Sequence, residues 1–328
     1  MTQSLEALDP QIRRFIEDVC EQGARLRQGR ANTWPERRVV ATQARLPWRQ
    51  GGPAMAKVVE VPFDGPHAAF TVRIYTPVQA TNLSPALVYL HGGGWCMFSV
   101  ETHDRLLREY AHASGLPVIA VDYSLAPEYP YPVALEQTTA VLAWLKRDGH
   151  LHGIDADRLA LAGDSAGANL AVATALVLRE AGELSRVHAL VLNYGAWAPE
   201  LSAHARSTLG TADDMLSGAE MDEFWHEYLG PQAERVAGPL SAPLRAELHG
   251  LPPSLLLWGD RDLLSEQNVA MAQRLADAGV PVASKLYPGA PHSFIEAMAI
   301  SDQAQDAIQR GADWLIAHLR PSQTDKPL

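Results

Sequence analysis

Two short glycine-rich runs carry the residue types that acyl transfer needs. Gly163-Asp164-Ser165-Ala166-Gly167 fits the G-x-S-x-G pattern, with an apolar run before it and a helical pattern after it. A serine between such elements sits in a strained turn that lifts its hydroxyl out of the sheet. Gly163 and Gly167 lack Cβ atoms, so strand and helix can approach closely. The following helix points free N–H groups and its positive dipole end at the reacting centre. The second run, His91-Gly92-Gly93-Gly94-Trp95, also follows a buried-type strand pattern. Acyl transfer creates an oxyanion that needs preorganised donors, and a glycine run can turn backbone N–H groups toward it unobstructed. Gly93 and Gly94, with the N–H of Ala166, are the expected donors. Either run alone has an ordinary explanation, a chance pentapeptide or a flexible loop. Their joint occurrence, each after a strand pattern, favours chemistry.

A serine hydroxyl is a weak nucleophile at neutral pH, so it needs a base, and the base needs an orienting acid. Where this turn carries the nucleophile, the chain order is serine, acid, histidine. After the strand pattern Ser254–Trp258, Gly259-Asp260-Arg261-Asp262 offers two carboxylates. Among the twelve histidines, His292 in Pro291-His292-Ser293-Phe294 follows the last strand pattern. His318 lies in the final helical pattern and His249 precedes the strand that delivers the acid, so both are badly placed. His150 and His152 have no third metal ligand near in sequence and read as a solvated pair. The chemistry requires no metal and no organic cofactor. Neither a Walker A sequence nor G-x-G-x-x-G occurs, which leaves nucleotide binding without support.

These residues must be positioned by regular elements. Strand patterns run over Lys57–Val61, Phe70–Tyr75, Ala86–His91, Pro117–Asp122, Arg158–Ala162, His188–Asn193, Ser254–Trp258 and Val282–Tyr287. Helical patterns lie at Thr102–Ser114, Pro132–Arg147, Ala166–Ala181, Ser265–Ala278 and Asp302–Leu319. Such alternation predicts an α/β domain with a mostly parallel sheet, covered on both faces because runs such as Ala86–Leu90 are continuously apolar. Two regions break the alternation. Before residue 57, Asp9-Pro10 starts a helix with a stripe of Ile12, Phe15, Ile16 and Val19, after which Arg25 to Gly52 shows no clear periodicity. Between Asn193 and Ser254 the chain is far longer than the roughly dozen residues a crossover needs. There Ser217-Gly218-Ala219-Glu220 reads as a capping box for a helix carrying Met221, Phe224, Trp225, Tyr228 and Leu229.

At 328 residues the chain allows two domains or one large α/β unit with additions. With 47% hydrophobic and 20% charged residues it is neither disordered nor fibrous. A net charge of −11 disfavours nucleic acid and anionic lipid surfaces as partners. Two cysteines, Cys20 and Cys96, make no disulfide framework. The acidic residues among the first eighteen exclude a secretory signal. The apolar stretch Leu159–Leu178 would reach across a bilayer, but Asp164, Ser165 and Asn169 interrupt it, so no stable membrane anchoring is expected. These features predict a cytoplasmic protein with a small-molecule substrate, compatible with a homodimer.

The motifs together resemble those of the hormone-sensitive-lipase-like family of α/β-hydrolases. HGGGW at 91–95, GDSAG at 163–167 and Asp122-Tyr123-Ser124-Leu125-Ala126-Pro127-Glu128, similar to the family's DYRLAPE, carry the likeness. It spans about residues 57 to 319 and implies an eight-stranded, mostly parallel sheet with a helical cap. The family's cap implies that residues 1–56 and an insertion at about 197–240 cover a hydrolase domain of 57–319, leaving 320–328 as a tail. Ser124 stands where the family has arginine. Asp262, in Asp262-Leu263-Leu264, aligns with the family's D-P-L acid, leaving Asp260 to shape the turn. His292 aligns with its H-G-F, Ser293 replacing the glycine. The resemblance implies a serine hydrolase cleaving carboxylic esters of small to medium acyl chains through Ser165, Asp262 and His292. Trp95, Met97, Phe98 and Trp197 are candidate pocket walls that could equally be core. An amidase or acyltransferase would use the same triad. A non-catalytic small-molecule receptor of this fold is the reading from another class, disfavoured because the histidine is present.

Overall fold

A computed structural model of the chain describes residues 7–211, 214–232 and 238–320. Of the expected tail 320–328, only Arg320 lies among the described residues. The chain opens with three helices, α1 (Pro10–Arg27), α2 (Trp34–Ala44) and the single turn α3 (Leu46–Arg49). Strands β1 (Lys57–Asp64), β2 (Ala69–Thr76) and β3 (Ser84–Leu90) follow, then α4 (Asp104–Ser114), β4 (Val118–Asp122) and α5 (Val133–Asp148). The central unit is β5 (Ile154–Asp164), α6 (Ala166–Glu180) and β6 (Val187–Asn193). Helices α7 (Ala203–Thr208) and α8 (Gly218–Leu229) occupy the long connection to β7 (Ser254–Gly259). Helix α9 (Ser265–Asp277), β8 (Val282–Tyr287) and α10 (Asp302–Leu319) complete the chain.

The eight strands form one sheet in the order β1-β2-β4-β3-β5-β6-β7-β8. Only β2 runs against its neighbours β1 and β4; every other pairing is parallel. The middle strands are buried along nearly their whole length, as two covered faces require. All eight expected strands are present, in one eight-stranded, mostly parallel sheet. Among the described residues no helix is long and apolar enough to cross a membrane.

Helix α1 starts where its cap dictates. The Asp9 carboxylate accepts the N–H groups of Gln11 at 2.9 Å and Ile12 at 3.0 Å, and Pro10 takes the first helical position. Its stripe of Ile12, Phe15, Ile16 and Val19 is buried, with the Phe15 ring edge-on to Trp48 at 5.1 Å. The stripe packs beside α2 and the 3₁₀ turn Phe294–Ala297, close behind His292. Helix α2 has no clear apolar periodicity: Thr33 makes no side-chain cap bond, and Arg37 and Arg38 interrupt its apolar residues. These two arginines and Arg45 at its C-cap hold it instead. Arg37 pairs with Glu223 of α8 at 2.7 Å, Arg38 with Glu128 at 2.6 Å, and Arg45 with Glu296. Contact with α8 thus comes from α2, whose Trp34 ring also lies 6.2 Å from Phe224.

At the centre, the start of α6 almost touches the end of β3. An ideal Cβ on Gly167 would lie 1.9 Å from the Leu90 carbonyl oxygen, a backbone atom that cannot move aside. Gly167→Ala is therefore expected to cost about 3 kcal/mol or more, from overpacking against backbone. Urea unfolding of the two proteins measures it, and an unchanged midpoint would show that the crossing relaxes easily.

Candidate active site

Ser165 sits between β5 and α6 with φ 53° and ψ −118°, a strained conformation for a residue with a side chain. Its N–H is held by the Asn193 carbonyl at 2.8 Å, and its own carbonyl accepts the Ala196 N–H at 3.2 Å. The turn is thereby fixed to β6 and to the chain beyond it. His292 Nε2 lies 2.9 Å from Ser165 Oγ, although 127 positions separate the two residues. On its other side, Nδ1 lies 3.0 Å from each carboxylate oxygen of Asp262. A nitrogen facing only acceptors carries hydrogen, which leaves Nε2 with a lone pair aimed at the serine hydroxyl. An imidazole held this way can take the proton of Ser165 as the oxygen attacks.

The two carboxylates of the acid loop have different partners. Asp262 is fully buried at 0% exposure and also accepts the Leu264 N–H at 2.8 Å. Asp260 accepts the Gly289 N–H at 2.7 Å, closing the turn after β8. Ser293, replacing the family's glycine, carries φ 61°. That left-handed backbone is what glycine adopts without strain, so the exchange has a conformational cost the sequence comparison does not reveal.

Gly93 and Gly94 follow β3 with φ 108° and 59°. A Cβ on Gly93 would lie 2.4 Å from the Met97 carbonyl oxygen, and one on Gly94 would lie 2.3 Å from the Phe224 ring. Both glycines are therefore demanded by close approach, and the second brings α8 directly onto the loop. Ala166 opens α6, where a helix's first N–H groups lack intrahelical partners.

Gly93, Gly94, Ser165 and His292 line a cavity of about 470 Å³. Met97 and Phe98 line it too, but two of the candidate walls do not. Trp95 is buried beneath α8, stacked on Tyr228 at 4.0 Å and tilted against Trp225 at 4.6 Å. Trp197 is core, its indole N–H donating to Asn268 Oδ1 at 3.0 Å. Instead, the cavity takes Val19 from α1, Val40, Ala41 and Ala44 from α2, and Met221 and Phe224 from α8. The α8 capping box is formed, with Ser217 Oγ accepting the Glu220 N–H at 3.3 Å and the Glu220 carboxylate accepting the Ser217 N–H at 3.0 Å. On α2 the signal was only Val40, Ala41 and Ala44 sharing one helical face. The Arg45 guanidinium covers the cavity side of Phe98, 4.2 Å above its ring.

Ser124 marks a departure from the family's pattern. In place of an arginine's ion pair, its N–H donates to Gln137 Oε1 at 2.8 Å and its hydroxyl accepts Gln137 Nε2 at 2.9 Å. Glu128, nearby in the same segment, is met by Arg38 of α2.

A family model described as alpha/beta hydrolase fold matches residues 87–296. The chain belongs to this family. The hydrolase is 32% identical over 276 residues to an acetyl esterase of Salmonella agona, spanning 83% of this chain and 84% of that relative. Its fold superposes on a hyperthermophilic esterase from the archaeon Pyrobaculum calidifontis with a TM-score of 0.86 and 30% identity, covering 95% of this chain and 98% of that one. A thermostable esterase from Pseudomonas putida gives a TM-score of 0.85 at 26% identity, covering 98% of this chain and 100% of that one. This hydrolase acts on carboxylic esters, and the resemblance to hormone-sensitive-lipase-like enzymes read from its motifs stands.

Proposed function

We propose that this chain hydrolyses esters of small to medium acyl chains through an acyl-enzyme on Ser165. The observation that carries this reading is the single histidine placed between a strained serine and a buried carboxylate, in the wall of a cavity lined by both apolar and charged side chains. In the first half-reaction Ser165 Oγ attacks the ester carbonyl while His292 Nε2 takes its proton. Asp262 holds the imidazole in the useful tautomer and stabilises the imidazolium that forms. The carbonyl oxygen becomes an oxyanion, met by the N–H groups of Gly93, Gly94 and Ala166. His292 then returns the proton to the leaving alcohol. Water repeats the sequence on the acyl-enzyme, freeing the acid and restoring Ser165.

The cavity volume suits a short or medium acyl chain, and a relative named acetyl esterase points the same way. The N-terminal segment and the insertion carrying α8 serve together as a cap over the hydrolase domain, joined by Arg37 and Glu223. A panel of p-nitrophenyl esters from acetyl to decanoyl, run beside the matching anilides, tests the reaction class. Ester turnover, with an organophosphate label located on Ser165, is expected. Faster anilide cleavage or a label elsewhere would overturn the reading.

The α2 wall gives a sharper test of chain length. Val40 is buried and faces the cavity, so Val40→Trp fills space without touching the serine, acid or histidine. One methylene in an apolar pocket is worth about 10- to 200-fold in discrimination. The decanoyl-to-acetyl ratio of kcat/KM is thus expected to fall by at least about tenfold, with acetyl turnover retained. An unchanged ratio would place the acyl chain away from α2.

A further inference from the structure

Asp164, immediately before Ser165, is buried and takes no part in the proton transfers above. Its carboxylate accepts the Tyr89 hydroxyl at 3.0 Å and the Gly92 N–H at 3.1 Å. A Cβ on Gly92 would lie 2.2 Å from a carboxylate oxygen, so only glycine permits this approach. One carboxylate therefore joins the turn bearing the serine to the start of the glycine loop. The same carboxylate meets His103 Nε2 at 3.3 Å, in a pair only 3% and 5% exposed.

The surroundings of His103 fix its charge. Its Nδ1 faces the Ser99 carbonyl at 3.2 Å and the Thr102 hydroxyl oxygen at 3.0 Å. That hydroxyl already gives its hydrogen to the Ser99 carbonyl at 2.8 Å. With a carboxylate on one side and committed acceptors on the other, both ring nitrogens carry hydrogen and the ring is a cation. Burial opposes that charge, but Asp164 outweighs it and holds the His103 pKa above its usual value. The same partner holds Asp164 below the usual carboxylate range in spite of burial. The neighbouring His91 ring, 5.5 Å away, is driven to about 3 by burial and by the charge of His103. The cluster therefore holds one imidazolium, on His103.

We propose that His103 is a positioning residue for ester hydrolysis: it keeps Asp164 ionised and in place, so that the glycine loop and the serine turn stay in register. The inference rests on the triad and donor roles proposed above. Without the imidazolium, the buried carboxylate is left uncompensated, a strongly unfavourable state that protonation or displacement relieves. Either response loosens the bond to Gly92 and displaces the donors that follow it. Substrate still enters the same cavity, so binding survives while the reacting geometry drifts.

His103→Gln keeps a hydrogen-bond donor and removes the charge. Its kcat is expected to fall about 10²-fold, the scale of a small misplacement of catalytic groups, with KM nearly unchanged. Affinity for a trifluoromethyl ketone, which mimics the tetrahedral intermediate, should fall in parallel. The losses in kcat from His103→Gln and Asp164→Asn should not add in the double variant, because the two residues act as one pair. A wild-type kcat in folded His103→Gln, a loss confined to KM, or additive losses would overturn the proposal. A measurement on the unaltered enzyme stands apart from any variant's folding: the ¹⁵N shifts of the His103 ring should report hydrogen on both nitrogens, and one bare nitrogen would overturn the imidazolium. If Ser165 of the unaltered enzyme escapes organophosphate labelling, the triad reading has failed instead. If Ser165 is labelled and His103→Gln turns over normally, only the positioning role has.

Discussion

Replacing Ser165 by alanine is expected to lower ester turnover by about 10⁶-fold, the scale on which triad knockouts act in another serine hydrolase. The fold should survive. The backbone bonds of Ser165 to Asn193 and Ala196 need no side chain, and alanine bears the positive φ no worse than serine does. What disappears is the oxygen 2.9 Å from His292 Nε2 and with it the acyl-enzyme. Cavity, glycine loop and histidine remain, so the variant should still bind a slow ester while failing to turn it over. Thermal melting and a p-nitrophenyl butyrate assay on protein free of wild-type contamination check both halves. Turnover near the wild-type rate in a folded variant would falsify the nucleophile assignment.

The second large effect separates two aspartates only two positions apart. Asp262→Asn should lower turnover by about 10⁴-fold, because an amide no longer enforces the tautomer that leaves Nε2 free to accept. Asp260→Asn should cost far less activity, since Asp260 acts on the Gly289 N–H and shapes the turn after β8. Its effect should appear in stability before it appears in kcat. The comparison is decided by kcat in the two folded variants. A deeper loss from Asp260→Asn would transfer the acid role to the other carboxylate.

Motifs whose requirements are local were readable in the sequence. Ser165 needs a strand, a tight turn and a helix, and all three leave marks within a few residues. The middle strands were readable because a doubly covered sheet makes them nearly continuous apolar runs. The choice between Asp260 and Asp262 came from family resemblance, because either could follow β7 and only distance to His292 separates them. The α2 wall escaped for a physical reason: it is held by Arg37, Arg38 and Arg45 reaching acidic partners far along the chain, and such pairings leave no periodicity. Trp95 and Trp197 misled because a tryptophan beside a motif looks the same whether it faces a cavity or supports the helix above it. His103 gave no signal either, since its partner lies 61 positions away.

Phe224 rests where a side chain on Gly94 would have to be. Helix α8 is therefore more than an outer wall, because the aromatic ring that bounds the cavity also supports the glycine proposed to meet the oxyanion. Substrate range and rate are thus tied through a single contact. Directed evolution toward bulkier esters that trims Phe224 widens the cavity and unseats the loop in the same step. Such variants trade speed for breadth, and the way out is a compensating change that supports the loop again from another side.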